Sequence, residues 1–187
     1  MNDDQIRRLQ IKGALEAELQ ATVEQRVDRY LAVNHQNIIA GHHFASASAE
    51  CLDVYRDGHF LSTVMVSHAV AEGIFRFVLE RNDRAGEAGD RPAVAERLMA
   101  DGLISQECST AFVRIWRSFR NDVHHMNPKV AAIPFPELAK RNIDDLATIE
   151  RELFAYRVND GKLSPVHARY WDAQPDGTVP VLLRLHP

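Results

Sequence analysis

The chain has 187 residues, 45% of them hydrophobic and 26% charged, which is typical of one globular domain with a core. Its net charge of −4 excludes nucleic-acid binding through overall positive charge, so any such site must be a local basic patch. The acidic N-terminus precedes no apolar signal region, and no apolar run is long enough to span a bilayer. Cys51 and Cys108 form no metal-binding or redox pattern. We therefore expect a cytoplasmic protein without a membrane partner.

Apolar residues recur at spacings of three and four along most of the chain and predict six α-helices. The third is apolar around most of its circumference, as expected for the central helix of a bundle. A polar, glycine-bearing loop at 82–91 precedes the fourth, and Ser105 is a suitable N-cap for the fifth. The predicted helices run from about Asp4 to Leu31, from Ala40 or His43 to Arg56, from His59 to Glu80, from Pro92 to Asp101, from Ser105 to just before Pro128, and from Glu137 to Tyr156.

The tail has a different pattern. Two short β-type runs, Val166–Trp171 and Val179–Leu185, flank a Pro-Asp-Gly turn and predict a hairpin. Pro180 would confine its strand to an edge. The prediction is thus an all-α, up-and-down helical bundle with a long N-terminal helix and a small C-terminal β-hairpin. Its helical domain spans 1–158, with a core of about 40–156, and the hairpin appendage spans 159–187.

The densest group of reactive side chains lies at the end of the fifth predicted helix, in Arg120-Asn121-Asp122-Val123-His124-His125. Arginine offers a fixed fork of donors to a phosphate, and histidine moves protons near neutral pH. These groups are enough to cleave RNA with neither metal nor cofactor, because the 2′-OH of RNA supplies the nucleophile. On a helix Arg120 and His124 lie one turn apart, as do Asn121 and His125. Both histidines fall in the last turn, where the helix dipole favours imidazolium.

Three arginines lead toward this cluster along the same predicted helix. Arg114, Arg117 and Arg120 recur every third residue and would form a cationic stripe beside the apolar face. Such a stripe could follow a phosphate backbone toward the histidines, which makes Arg114, Arg117 and His124 candidate RNA-binding residues. A solvated helix face with two ordinary histidines near a cap is the alternative that residue chemistry leaves open.

The spacing Arg120-(four residues)-His125, with Asn121 directly after the arginine, resembles the Arg-x(4–6)-His motif of HEPN domains. Those domains are small α-helical bundles that carry the motif near the end of a late helix. The earlier Tyr-Arg-Asp-Gly at 55–58, followed by an alanine-rich helix through 69–74, resembles their early helical pair. The resemblance covers roughly Ala40 to Tyr156 and implies an HEPN-like bundle.

Many HEPN proteins are metal-independent endoribonucleases, often toxins or defence proteins, and they usually dimerise so that two motifs face one cleft. The resemblance implies that Arg120 holds the scissile phosphate, that His125 moves protons and that Asn121 orients either one. It also implies RNA, a second copy of the chain and an antitoxin or other partner protein as partners. The subgroup paired with nucleotidyltransferase antitoxins tends to carry tyrosine where this chain has Asn127.

Two other functions stay open: a non-catalytic HEPN-type module that binds RNA, a nucleotide or a partner protein, and a helical interaction protein without such a site. A metal site is not expected, because the Glu-x-x-His pairs of di-metal bundles are missing from the sequence. His68 and Glu72 lie one turn apart on the central helix. We interpret them as a satisfied polar pair in the core, with a secondary role in a cleft as the alternative.

Overall fold

A computed structural model describes residues 2–184 and is mostly helical, with two small antiparallel strand pairs. The described part contains seven α-helices, two 3₁₀ turns and four short strands. The helices are Asp3–Leu31 (α1), Ala45–Arg56 (α2), Phe60–Arg81 (α3), Arg91–Ala100 (α4), Gln106–Trp116 (α5), Arg120–His124 (α6) and Phe135–Leu153 (α7). The strands are Ile38–Ala40 (β1), Tyr156–Asn159 (β2), Lys162–Pro165 (β3) and Val181–Leu183 (β4), and the 3₁₀ turns are Pro128–Ala132 and Ala168–Tyr170.

The central helix is α3, as predicted. It packs against α2, α5 and α7, and α4 covers α5 from the outside. Phe75 on α3 meets Phe112 and Trp116 on α5, with ring centroids 5.2 and 4.7 Å away. By length and composition alone α3 could also cross a membrane, which differs from the expectation drawn from the sequence. However, 56% of its most apolar window is buried within the protein, and a core helix needs apolar residues on most sides.

The fifth predicted helix is not continuous, contrary to the sequence prediction. Helix α5 begins as expected, with the Ser105 side chain accepting from the backbone N–H of Cys108, but it ends at Trp116. The reason is local: the Ser118 hydroxyl donates to the Ile115 carbonyl, which the N–H of Phe119 would occupy in a continuing helix. Phe119 adopts a left-handed conformation, with φ of 59°, and α6 starts after it. Phe119 is consequently 46% exposed rather than in the core.

The prediction of the C-terminal hairpin is wrong in which strands pair. Strand β4 pairs with β1 instead, in the register Ile38↔Leu183 to Ala40↔Val181. The hairpin that does form, β2–β3, turns at Asp160-Gly161, and it takes up Tyr156, which was predicted to be helical. Trp171 packs into the core, where its indole ring lies 6.3 Å from the Phe154 ring between centroids. Leu185, the end of the predicted second strand, lies outside the described residues.

Helix α1 projects from the bundle. Its last turns are attached, since the Arg29 side chain donates to the Arg56 carbonyl at 2.6 Å and Arg26 pairs with Asp57. Residues 2–21 are all exposed, and they include Leu9 at 58%, Leu15 at 60% and Leu19 at 51%. The apolar residues that predict this helix do lie along it, but over its N-terminal two thirds they are exposed and none of residues 2–184 covers them.

Candidate functional site: a groove between α3 and α6

A groove of about 350 Å³ lies where α6 crosses α3. Helix α3 contributes three polar side chains one turn apart, His68, Glu72 and Arg76, and α6 contributes Arg120 and His124. Ala69 and Gly73 form its apolar floor, and His43 closes one end. The groove thus collects three imidazoles, two guanidinium groups and a carboxylate in a small volume.

Two left-handed residues hold α6 at this position. Phe119, with φ of 59°, precedes the five-residue helix, and Met126, with φ of 48°, follows it. Val123 anchors the helix from below and is fully buried. With Val123 directed inward, residues 120 and 124 share one side of the short helix, so Arg120 and His124 line the same groove.

His68 is anchored by a buried hydrogen-bond network. Its Nε2 lies 2.8 Å from Ser118 Oγ, and Asn142 Nδ2 donates to the same oxygen at 3.1 Å. The single Ser118 proton is directed at the Ile115 carbonyl, so Ser118 must accept from both of the others. His68 therefore carries its proton on Nε2, and its Nδ1 is a buried lone pair without a hydrogen-bond partner in the described part of the chain.

This environment keeps His68 neutral. Burial, followed by the nearby charges of His124 and Arg120, lowers the pKa of His68 from 6.5 to about 4. The rings of His68 and His124 lie 5.5 Å apart between centroids. The groove therefore contains a neutral, fixed imidazole beside a second, exposed one.

Glu72 carries the negative charge of the groove. Its Oε1 accepts from Arg76 at 2.9 Å and from Arg91 at 2.6 Å. Burial would raise the pKa of Glu72, but the hydrogen bonds from Arg91 and Arg76 outweigh it and hold the pKa below its ordinary value. Glu72 thus pairs with the guanidinium groups of Arg76 and Arg91. The other guanidinium of this groove, that of Arg120, has no hydrogen-bond or ion-pair partner within residues 2–184.

The remaining predicted site residues are dispersed. Asn121 and Arg117 are exposed and line a second groove, on the other side of Arg120. His125 is exposed at the C-cap of α6 and is not among the residues that line the first groove. Arg114 lies on α5, before the break, and its Nε donates to Asp145 at 2.9 Å. The three arginines therefore do not form one continuous stripe.

Several groove residues escaped the sequence analysis. The sequence indicates His68 and Glu72 as a pair, but Arg76 completes an i, i+4, i+8 series of polar residues on the most apolar helix, and this series is the local signal for the groove. His43, Ser118 and Asn142 join through tertiary contacts between distant segments, which no local pattern encodes. Within residues 2–184, no three His, Cys, Asp or Glu side chains stand close enough together to hold a metal ion.

Comparison of the chain with protein-family models, with curated proteins and with solved structures gave no match. The function of this groove must therefore be argued from its chemistry.

Proposed function

We propose that the protein is an HEPN-type, metal-independent endoribonuclease whose active site is the groove between α3 and α6. The observation that carries this proposal is the shared groove of Arg120 and His124, in which the Arg120 guanidinium has no hydrogen-bond or ion-pair partner among the described residues. An unpartnered guanidinium suits a phosphate, and an exposed imidazole beside it suits proton transfer.

The reaction would be transesterification. The RNA 2′-OH attacks the adjacent phosphorus, the new P–O2′ bond forms and the P–O5′ bond breaks, which yields a 2′,3′-cyclic phosphate and a 5′-OH. Arg120 stabilises the charge on the phosphoryl oxygens. His124 accepts the proton that the attacking 2′-OH loses, and the departing O5′ takes a proton from water. His68 is a positioning residue in this scheme: it is neutral, so it adds no positive charge to compete for the phosphate, and it limits where the His124 ring can lie.

The family resemblance assigns proton transfer to His125, whereas the groove favours His124. The experiment that separates them compares wild type, Arg120→Ala, His124→Ala and His125→Ala on a mixed RNA substrate in excess EDTA. We expect cleavage by wild type, near-complete loss with Arg120→Ala and His124→Ala, and substantial activity with His125→Ala. Loss with His125→Ala alone would transfer the role to His125, and wild type inactive in EDTA but active with divalent ions would refute the mechanism.

The second candidate function is a non-catalytic module that binds RNA, a nucleotide or a partner protein. It is favoured by the position of His125, the histidine of the family motif, outside the groove that holds Arg120. RNA binding that depends on Arg120 while wild type cleaves nothing would support this alternative.

The proposal extends to partners and location. A reaction of this type benefits from an acid and a base on opposite sides of the phosphate, and a two-fold dimer would supply a second Arg/His set by symmetry. We also propose that the protein acts on cellular RNA in the cytoplasm, as a toxin or defence protein, and that an antitoxin or another partner protein restrains it. Co-expression with neighbouring genes, scored by growth, tests that last point.

A further inference from the structure

The second groove, on the other side of Arg120, has a volume of about 380 Å³ and a different chemical character. Its walls are aromatic, Trp116 and Phe119, and its rim carries Arg91, Arg117 and Arg120. One carboxylate, Asp122, also lines it. Arg120 lines both grooves, so a ligand bound to Arg120 in the first groove can continue into the second.

The backbone conformation of Phe119 directs its side chain toward solvent. A bulky residue with φ of 59° is strained, since its Cβ approaches the following carbonyl, and glycine would relieve that strain. With this backbone, Phe119 is 46% exposed at the groove instead of buried beside α5. A strained residue that exposes an aromatic ring at a cleft indicates a functional contact.

The other members of the groove suit the same ligand. Arg117 is exposed, and its guanidinium, like that of Arg120, has no hydrogen-bond or ion-pair partner within the described residues. The indole N–H of Trp116 is buried and lacks an acceptor there. These groups together match a nucleotide. The unpaired guanidinium groups of Arg117 and Arg120 can bind a phosphate, and the exposed ring can stack on a flat base, beside an N–H donor that has no acceptor among those residues.

We propose that this groove is a nucleobase subsite, in which Phe119 stacks on an unpaired base of single-stranded RNA next to the phosphate held by Arg120. The substrate class rests on the proposed function. The base itself is recognised by its π-face, so the subsite selects unpaired RNA over duplex and tolerates different bases.

The chain offers a matched control for this test. Met126 is also left-handed and 58% exposed, but it lines neither groove. Phe119→Gly and Met126→Gly thus make the same kind of change, relief of a strained backbone with loss of an exposed apolar side chain. Both variants should melt no lower than wild type.

The probe is a fluorescent single-stranded oligonucleotide with 2′-deoxy sugars, which cannot be cleaved, and its abasic counterpart of equal length and charge. Anisotropy titrations should give wild type and Met126→Gly a clear preference for the base-containing strand. Phe119→Gly should lose about tenfold in affinity for that strand and little for the abasic one, and Phe119→Tyr should restore the preference.

The outcomes separate this inference from the proposed function. If Phe119→Gly keeps the wild-type preference, or if wild type has none, the nucleobase subsite is refuted even where RNA cleavage is observed. If the preference depends on Phe119 while wild type cleaves no RNA, the subsite stands and the endoribonuclease proposal fails.

Discussion

His68 makes the stability of the protein depend on pH at the scale of one residue. Its pKa is lowered from 6.5 to about 4 by burial and by the charges of His124 and Arg120. Between these values the unfolded chain binds a proton that the folded chain does not, so the free energy of unfolding falls as pH falls from about 6.5 to about 4.

His68→Gln should remove that dependence. Glutamine can still donate to Ser118, but it does not titrate. We therefore expect a flatter profile of the free energy of unfolding against pH between 6.5 and 4, measured by urea denaturation. The exposed His125→Ala is the control and should keep the wild-type slope. An unchanged slope in His68→Gln would mean that another group controls acid stability.

Arg114 and Arg117 were predicted as equivalent RNA contacts, yet their surroundings differ. Arg114 binds Asp145, whose side chain is only 3% exposed, whereas Arg117 has no such partner among the described residues. Burial raises the pKa of Asp145 and Arg114 opposes that rise, so removal of Arg114 leaves a buried carboxyl group unpaired.

Arg114→Ala should therefore lower the free energy of unfolding by about 1–3 kcal/mol, and Arg117→Ala should change it by less than about 0.5 kcal/mol. RNA binding should respond in the opposite order, with Arg117→Ala reducing the salt slope by about 1. Thermal melts and salt-dependent binding titrations measure both effects. If both variants lost RNA affinity equally and kept their stability, the result would instead support the prediction that Arg114 and Arg117 belong to one continuous cationic stripe.

At the scale of elements, a buried ion pair attaches strand β4 to helix α7. Arg184 Nη1 and Nη2 donate to the two carboxylate oxygens of Glu150 at 2.7 and 2.8 Å, and Ser48 Oγ donates to Oε1. Both charged side chains are fully buried. Burial would raise the pKa of Glu150, but hydrogen bonds from His35 and Arg184 lower it to about 2. The stabilisation that ionised Glu150 provides is thus present above about pH 4.5 and disappears as pH falls toward 2.

Arg184→Ala should destabilise the protein by about 3–5 kcal/mol, because it leaves a buried charge without its partner. The exposed Arg157→Ala in strand β2 is a matched control and should change stability little. Chemical denaturation of both variants measures the difference. A double variant, Glu150→Gln with Arg184→Met, should recover part of the loss. If Arg184→Ala unfolds at the wild-type denaturant concentration, the ion pair does not hold β4 in place.

The helices and strands differ in how well the sequence alone predicts them. Periodicity predicted α1, α2, α3 and α4 to within a few residues, because each shows its apolar face over several turns. It missed the break at Ser118, where one side-chain hydrogen bond competes with the helix, and the β1–β4 pairing, which joins segments some 140 positions apart. The candidate site divides in the same way: Arg120 and His124 could be read from one helix turn, whereas His43 and Asn142 reach it only through the fold.

At the scale of the whole molecule, the projecting part of α1 exposes apolar side chains that none of the described residues covers. The helix has 29 residues and is about 44 Å long. Its exposed apolar residues Ile11, Leu15 and Leu19 follow one another at one-turn intervals and border a shallow apolar groove. Two roles are open to the apolar residues Leu15, Leu19 and Val23, packing on their own bundle or forming a dimer interface, and the exposure of Leu15 and Leu19 favours the interface.

A second copy of α1 in antiparallel orientation would satisfy this surface. After the acidic first turn with Asp3 and Asp4, α1 has a basic segment, Arg7, Arg8 and Lys12, and then the acidic Glu16, Glu18 and Glu24. An antiparallel pair centred near Leu15 would place the basic part of each helix against the acidic part of the other, with Ile11 opposite Leu19. Burial of the leucines would supply the main driving force.

Replacing Leu15 and Leu19 together by glutamate should consequently convert the proposed dimer into a folded monomer, since the attachment of α1 through Arg29 and Arg26 is untouched. Ala17→Glu with Gln20→Glu adds the same charge on the opposite, exposed face of the helix and should leave the proposed dimer intact. Light scattering after size exclusion gives the mass, and circular dichroism tests the fold.

The same variant tests whether the active site is a composite site, to which each of two chains contributes an Arg/His set. If it is, the monomeric variant should also lose RNA cleavage, and mixing Arg120→Ala with His124→Ala should restore part of it. Wild type that is monomeric and fully active at assay concentration would refute both the interface and the composite site, because one chain would then supply every group that the reaction requires.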